Sequence, residues 1–425
     1  MSDPHWKRGP EIRCATCLAL AVPAALLPGV AIAGEQLSVV TSASLEASSN
    51  PFLRAGGNDT SLAATLELNP LWAFKDEVTQ IDLQGSARLS QYLDANSGTD
   101  AMAAANVAAV RRITEKWNLH GSAGYSTSTS GVRDLFNQTP GLPITALSPG
   151  PVAGGAASAP SVAILPNALF VPIDATAAGR QTRQTTYRAG IGAEFKASAR
   201  DRVVFDVSVN RTLYNDPLLA DYRTFNQIVQ YMRSLSPRST VNLAVSFLEV
   251  RYSDGSSAFI ATPLAGATRY LSSTLKLELL GGVSYVRASP FGQPSSSTVT
   301  PSVRASLCGT YERSGFCADA ERSQQPTAQG GVRATSSASL TYHNRLNRRD
   351  SVTLGVRFDR RDQDTRKLFA ASTLLGVQAQ GERTLNNRLG SLVSGSYASV
   401  WQQGVARRSE VRARIGITYR FGALR

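Results

Sequence analysis

The segment that most constrains the fold is SEVRARIGITYRFGALR, residues 409–425. Every second position from Val411 to Phe421 is apolar or aromatic. The positions between them are Arg412, Arg414, Gly416, Thr418 and Arg420. A helix would spread the two sets around its circumference, whereas a strand separates them because its side chains alternate between two faces. The segment therefore predicts a β-strand with an apolar face and an opposite face rich in arginine.

The N-terminal residues have the features of a Sec-type signal peptide. A positive start at Lys7, Arg8 and Arg13 precedes the apolar stretch CATCLALAVPAALLPGVAIA, whose last three residues fit the small-x-small cleavage rule. We predict cleavage before Gly34, which removes residues 1–33 together with Cys14 and Cys17. A retained membrane anchor is the alternative, although two prolines interrupt the stretch and its length is marginal for a span.

The rest of the chain has the composition of a secreted protein without membrane helices. It lacks any run of the roughly 18–20 apolar residues that such a helix needs. Hydrophobic residues make up 42% of the chain and charged residues 18%, with 34 glycines, as expected where small, polar and apolar positions alternate. Cys308 and Cys317 are the cysteines that remain after processing, and their close spacing predicts one local disulfide, with two unrelated thiols as the alternative.

Alternating segments recur along residues 34–425, often as hairpins around a short polar turn. We predict about 16 strands and keep 14 and 18 as alternatives, because bacterial outer-membrane barrels use an even number. The predicted strands are 36–47, 60–73, 78–92, 104–114, 117–128, 185–197, 202–214, 222–234, 239–252, 260–271, 274–287, 331–345, 351–363, 368–380, 387–400 and 409–421.

The connections are asymmetric, with short turns on one side and long loops near 129–184 and 289–330 on the other. Short periplasmic turns and longer outer loops are typical of outer-membrane barrels. A β-sandwich or propeller is the alternative, but a dry core between two sheets would have to bury the polar face of each strand. The sequence therefore predicts an all-β fold, a transmembrane antiparallel up-and-down β-barrel.

The closing strand resembles the C-terminal assembly signal of outer-membrane proteins, with Tyr419 and Phe421 as its aromatic residues, although GALR follows. Over nearly the whole mature chain the sequence resembles outer-membrane β-barrel porins and, more loosely, the group called β-barrel porin 2. The resemblance implies the bacterial outer membrane as location, outer-membrane lipid and lipopolysaccharide as surroundings, and the barrel assembly machinery as a partner. Some members of the looser group are associated with exopolysaccharide secretion.

The alternate face of each predicted strand gives a list of lumen residues. The acidic residues expected there are Glu67, Asp82, Glu194, Asp206, Glu278 and Asp359. The basic residues expected there are Arg88, Arg188, Lys196, Lys276, Arg333, Arg357, Arg361, Arg412, Arg414 and Arg420. This surplus, like the net charge of +13, favours anions, although pairing across neighbouring strands could make it structural. An acidic saccharide fits the charge as a partner, whereas the secretion signal argues against nucleic acid.

One long loop and two histidines are the remaining features of the sequence that bear on function. Residues 129–184 are rich in Pro, Gly and Ala, and we expect them to fold inward as a plug or constriction, with an outer cap as the alternative. His120 and His343 are the histidines after processing and lie near predicted periplasmic turns, so we expect wall residues rather than catalytic ones. We expect no metal and no cofactor. The sequence predicts a passive channel for small or anionic solutes, with an accessory to exopolysaccharide export or a barrel enzyme as alternatives.

Overall fold

The computed structural model describes residues 35–54, 60–93, 98–129, 182–362, 370–402 and 404–422. These residues contain 18 β-strands. The strands are β1 Glu35–Ser48, β2 Ser61–Lys75, β3 Thr79–Tyr92, β4 Thr99–Arg112, β5 Trp117–Ser128, β6 Gln184–Lys196, β7 Asp201–Tyr214, β8 Tyr222–Ser236, β9 Ser239–Tyr252, β10 Ser257–Tyr270, β11 Leu275–Ser289, β12 Ser296–Thr310, β13 Ser314–Pro326, β14 Val332–Arg345, β15 Asp350–Arg361, β16 Ser372–Thr384, β17 Leu389–Gln402 and β18 Val405–Gly422.

Each strand pairs antiparallel with the next one in sequence, and β1 pairs with β18 to close the sheet. The closing register places Ala43 opposite Ile417 and Ser44 opposite Gly416. Closure leaves no sheet edge, so backbone donors and acceptors are satisfied between strands, as a hydrocarbon environment requires. The predicted all-β up-and-down barrel is confirmed. Among the described residues, no helix is long and apolar enough to cross a membrane.

The strand count is 18 because residues 296–326 form the hairpin of β12 and β13. The prediction of one long loop near 289–330 is therefore wrong. The outward positions of β13 are mostly small or polar, for example Ala318, Ala320 and Arg322, so its hydrophobic alternation is weak. Pairing with β12 and β14 places it in the sheet despite this weak local pattern.

The connections at the two ends of the barrel differ, and the end containing the start of β1 and the end of β18 has short turns. Several of these turns begin with a side chain whose oxygen accepts the backbone N–H groups of the second and third residues after it. These residues are Asp76, Thr114, Ser198, Ser272, Asn347 and Asn386. Such local bonds favour Asp, Asn, Ser and Thr in tight turns, and they lower the pKa of the Asp76 carboxyl below its usual value. We call this the short-turn end and the opposite end the loop end.

The predicted signal peptide, residues 1–33, lies outside the described residues, as does most of the predicted loop 129–184. The shorter loop-end connections are described, for example residues 215–221, 253–256 and 327–331. Short turns at one end and longer connections at the other match the periplasmic and outer sides of bacterial barrels.

The outward face of the barrel is apolar around its middle. Leu66 is 60% exposed, Ile191 71% and Ile415 62%, which is unusual for large aliphatic side chains facing water but ordinary in lipid. Aromatic pairs flank this apolar band. Trp117–Phe195 and Tyr419–Phe421 lie toward the short-turn end, and Tyr125–Tyr187 and Phe247–Phe259 lie toward the loop end. Two aromatic girdles around an apolar band are the surface of a membrane-spanning barrel.

Candidate functional site

The inward face of the barrel is polar and carries the ten basic residues singled out from the sequence. The register from β1 to β18 places all of them opposite the apolar band, because they alternate with outward residues such as Leu89, Tyr187 and Ile415. They are Arg88, Arg188, Lys196, Lys276, Arg333, Arg357, Arg361, Arg412, Arg414 and Arg420. An 18-stranded barrel leaves an aqueous channel between such walls, so the lumen is the candidate functional site.

The arginine column of β18 is matched by carboxylates. Arg412 lies 3.0 Å from Glu410 on its own strand and 3.4 Å from Glu46 on β1, measured between side-chain N and O atoms. Arg412 is 5% exposed and Glu410 1%, and Ser48 donates a hydrogen bond of 2.6 Å to Glu410. This arginine therefore belongs to a buried ion-pair group between two carboxylates.

Two further arginines extend the charged wall onto β2, β3 and β4. Arg414 contacts Glu67 at 3.0 Å and donates to Ser44 at 2.7 Å. Arg88 lies 3.4 Å from Asp100, and both side chains are buried. Opposite charges thus alternate across the seam where the barrel closes, and the wall combines strong hydrogen-bonding groups with little net charge.

Sequence reasoning did not single out Glu46, Asp100 or Glu410 as lumen residues. Glu410 lies two residues from Arg412, so the same alternation places it on the same face. Asp100 lies before the predicted strand 104–114, whereas β4 begins at Thr99. Glu46 lies within the predicted strand 36–47, and its inward position follows from the pairing with Arg414 across the closing register.

Elsewhere in the lumen some basic residues are also paired. Arg357 bonds to Asp359 at 2.6 Å, and Lys276 lies 3.5 Å from Glu278. Arg188 donates to the neutral Asn210 at 2.9 Å. Within the described residues, Arg188, Lys196 and Arg420 have no ion pair. These three residues carry positive charge that no ion pair neutralises in that part of the chain.

The wall opposite the closing seam is uncharged. β9 lies nine strands from β18 in either direction around the ring. The inward positions of β8, β9 and β10 hold neutral residues throughout, for example Asn226, Gln230, Asn242 and Thr262. The lumen is therefore polarised, with a ladder of charged pairs facing a neutral wall that mixes amide, hydroxyl and aliphatic side chains.

A loop-end connection covers part of this neutral wall. Residues 327–331, between β13 and β14, contact β9 and the connection between β7 and β8. The backbone N–H of Ala220 donates to the Ala328 carbonyl at 2.6 Å, and the Tyr252 hydroxyl donates to the Gly331 carbonyl. Thr327 and Ala328 are almost completely buried. The connection thus folds inward at the loop end and narrows the entrance beside β8 and β9.

The two histidines lie inward near the short-turn end. His120 on β5 and Asp206 on β7 are bonded at 2.5 Å across the intervening strand β6. Gly192 of β6 is opposite both residues, and a Cβ atom there would be 2.2 Å from the His120 Nε2 atom. His343 bonds to the Thr353 hydroxyl at 3.1 Å. In the described part of the chain the contacts of both histidines are those of wall residues.

Cys308 and Cys317 are directly opposite each other on β12 and β13 and form a disulfide. They lie in a hairpin beside the short turn at residues 311–313, so the expectation that they sit in an outer loop is wrong. Asp319 is close to both sulfurs, and this is the one group of possible metal ligands among the described residues. Because the disulfide uses both thiols, the group lacks the thiolates that a soft metal ion prefers.

The known proteins that are similar to this chain are solved structures. No family model matches the sequence, and no curated protein does. Among solved structures, OccK2 (OpdF) of Pseudomonas aeruginosa is 12% identical with a TM-score of 0.44, covering 92% of this chain and 98% of that one. OccAB2 of Acinetobacter baumannii is 10% identical with a TM-score of 0.44, covering 93% and 100%. The siderophore receptor PirA from Pseudomonas aeruginosa is 9% identical with a TM-score of 0.41, covering 91% and 80%.

The architecture itself assigns the class of protein. A closed ring of 18 antiparallel strands, an apolar outer band with aromatic girdles and a polar interior together describe a porin-like β-barrel of the bacterial outer membrane.

Proposed function

We propose that this chain is a passive outer-membrane channel for small polar solutes, with a preference for anions. The observation that carries the proposal is the polarised lumen, in which charged pairs on β18 and β1–β4 face the neutral wall of β8–β10. A solute with a carboxylate can exchange hydrogen bonds along the arginines while its hydroxyl groups meet the amides opposite. Each contact is weak enough to release the solute, as conduction requires.

The anion preference depends on the basic residues that lack an ion pair within the described residues. Arg188, Lys196 and Arg420 leave positive charge in the lumen, and Arg420 lies near the periplasmic mouth. Arg412 and Arg414 contribute hydrogen-bond donors but little net charge, since Glu46, Glu410 and Glu67 neutralise them. Selectivity for anions therefore should be moderate.

The proposal is tested by conductance of the refolded protein in planar bilayers under a salt gradient. We expect ohmic channels whose reversal potential indicates anion preference. Arg420→Gln should lower the ratio of anion to cation permeability, and the effect should shrink in 1 M salt, where the Debye length is about 3 Å. The matched control is Arg233→Gln, which removes an outward arginine at the same end.

Three results would contradict the proposal. Membranes that remain non-conducting with correctly inserted protein would exclude a passive channel. A cation preference in the wild-type protein would exclude the role given to the unpaired bases. Equal effects of Arg420→Gln and Arg233→Gln would show that lumen position does not matter.

A further inference from the structure

A row of arginines lies on the outward face of the barrel at the loop end of β7, β8 and β9. Arg211 is directly opposite Arg223, and Arg223 is directly opposite Arg251. All three side chains are exposed, and they alternate with inward residues such as Thr212 and Thr224. Arg287 on β11 extends the positive surface, since it is opposite Phe259 of β10. We call Arg211, Arg223 and Arg251 the rim arginines.

The rim arginines are poorly neutralised by the protein. Like charges directly opposite each other on neighbouring strands destabilise a sheet, and here two such pairs are adjacent. Arg251 bonds to Glu249 at 2.5 Å, whereas Arg211 and Arg223 have no carboxylate partner within the described residues. At the other end of β8 the outward Arg233 faces Asp201, 3.9 Å away. Two of the three rim arginines therefore carry positive charge without an ion pair in the part of the chain that the structure describes.

A hollow lies over the rim arginines. Its volume is about 830 Å³, and its lining includes all three of them together with Leu213, Phe259 and two acidic residues, Asp221 and Glu249. The connection at residues 253–256 borders it on the loop side. On the membrane side, Phe225 and Phe247 of the apolar band follow the rim arginines two and four residues along their strands. The hollow therefore joins a cationic upper part to an apolar surface below.

The strands behind the hollow are held by packing on their inward side. Tyr222, Val250, Tyr252 and Ala258 form a buried cluster beside it, and all of these except Val250 also line the hollow. The Tyr252 hydroxyl bonds to the connection at residues 327–331. This support holds the strand ends that carry the rim arginines, so the positions of their backbones do not depend on a ligand.

We propose that the rim arginines bind the phosphorylated sugar headgroup of an outer-leaflet glycolipid, lipopolysaccharide. Guanidinium groups recognise phosphate by paired hydrogen bonds, and three in a row match a headgroup that carries more than one phosphate. The rim arginines lie on the outward face of their strands, so they do not line the lumen. The place of the hollow between the apolar band and the loop end is where a lipid headgroup lies when its acyl chains contact Phe225 and Phe247.

The test measures binding of a defined lipid to the purified full-length barrel in detergent by native mass spectrometry. The probes are lipid A with two phosphates, dephosphorylated lipid A, and inorganic phosphate as a competitor. The variant is the triple substitution Arg211→Gln, Arg223→Gln and Arg251→Gln. We expect its affinity for bisphosphorylated lipid A to fall at least tenfold, while dephosphorylated lipid A binds both proteins equally weakly.

The matched control removes three arginines from the short-turn end, Arg233→Gln, Arg238→Gln and Arg269→Gln, and should bind lipid A as the wild-type protein does. Folding is checked by the faster gel migration of unboiled samples. If the triple variant does not insert, the single Arg223→Gln variant replaces it. We expect that single variant to lose an intermediate part of the affinity for lipid A. Unchanged binding by the rim variant, or an equal loss in the control, overturns the proposal. Displacement of lipid A by equimolar inorganic phosphate overturns the assignment to lipid and indicates a site for free anions.

Discussion

Gly192 is the position where a single methyl group should separate two lumen side chains. Its inward side faces the bond between His120 and Asp206, which crosses β6 from β5 to β7. The Cβ atom of an alanine would be 2.2 Å from the His120 Nε2 atom and 2.3 Å from the Asp206 Oδ1 atom. Ordinary contact begins at 3.4 Å, so both side chains must move by more than 1 Å to restore it, and we expect their bond to be lost.

The loss of the bond between His120 and Asp206 sets the expected decrease in the free energy of unfolding. The clashing atoms are the ends of side chains, so the backbone pairing of β6 can stay intact. A hydrogen bond that involves a charged group contributes about 1.5–3 kcal/mol. We therefore expect Gly192→Ala to lower the free energy of unfolding by about 1.5–3 kcal/mol, measured by urea unfolding in lipid vesicles with tryptophan fluorescence.

A double-mutant cycle separates this clash from a general effect of alanine in a strand. In a His120→Ala background the bond is already absent and Asp206 can turn away, so Gly192→Ala should cost little more. Gly281→Ala is the control, because nothing lies within 4 Å of its Cβ position. Additive costs in the double variant, or a loss in Gly192→Ala no larger than in Gly281→Ala, would refute the reasoning.

Two further predictions concern the hairpin of β12 and β13 and the two faces of β18. Native protein alkylated without reductant should show no modified Cys308 or Cys317, and modification of both thiols would contradict the disulfide. Replacing both with Ser should lower the free energy of unfolding by about 2–3 kcal/mol, because the disulfide closes a short loop. Ile415→Arg should prevent assembly, since a charge at the middle of the lipid-facing band costs about 2–4 kcal/mol. Thr418→Arg, on the lumen face of the same strand, should assemble normally, as measured on a heat-modifiability gel. The opposite outcome would show that the two faces of β18 are assigned the wrong way round.

The faces of the strands were predictable from the sequence because the side-chain period of a strand is local. The alternation in 409–421 predicts β18, and the structure has Ile415 outward and Arg414 inward. β12 and β13 were missed because their place in the sheet depends on neighbours. The small outward alanines of β13 give little local contrast, yet β14 pairs with it along thirteen residue pairs.

The pairing of lumen charges was not predictable from the sequence. Arg414 meets Glu67, 347 residues away, because β18 closes against β1 and β1 against β2. A strand shifted by two residues would keep every face correct and change every charge partner. Alternation therefore identifies which residues enter the lumen, and the register of closure decides which of them carry uncompensated charge.

This distinction changes what the net charge of +13 implies for transport. If the arginines of β18 acted as free charges, removing any of them would shift selectivity equally. Arg412 and Arg414 instead hold carboxylates that would otherwise be exposed to the solute, so their removal would add negative charge to the wall and weaken its order. Arg420 has no such partner in the described part of the chain.

Meanwhile Arg211, Arg223 and Arg251 place positive charge on the outward face, where it acts on the membrane rather than on the solute. The basic character of the chain is therefore divided between two surfaces, and under the proposed channel function selectivity in the lumen should follow from the bases that have no ion pair among the described residues.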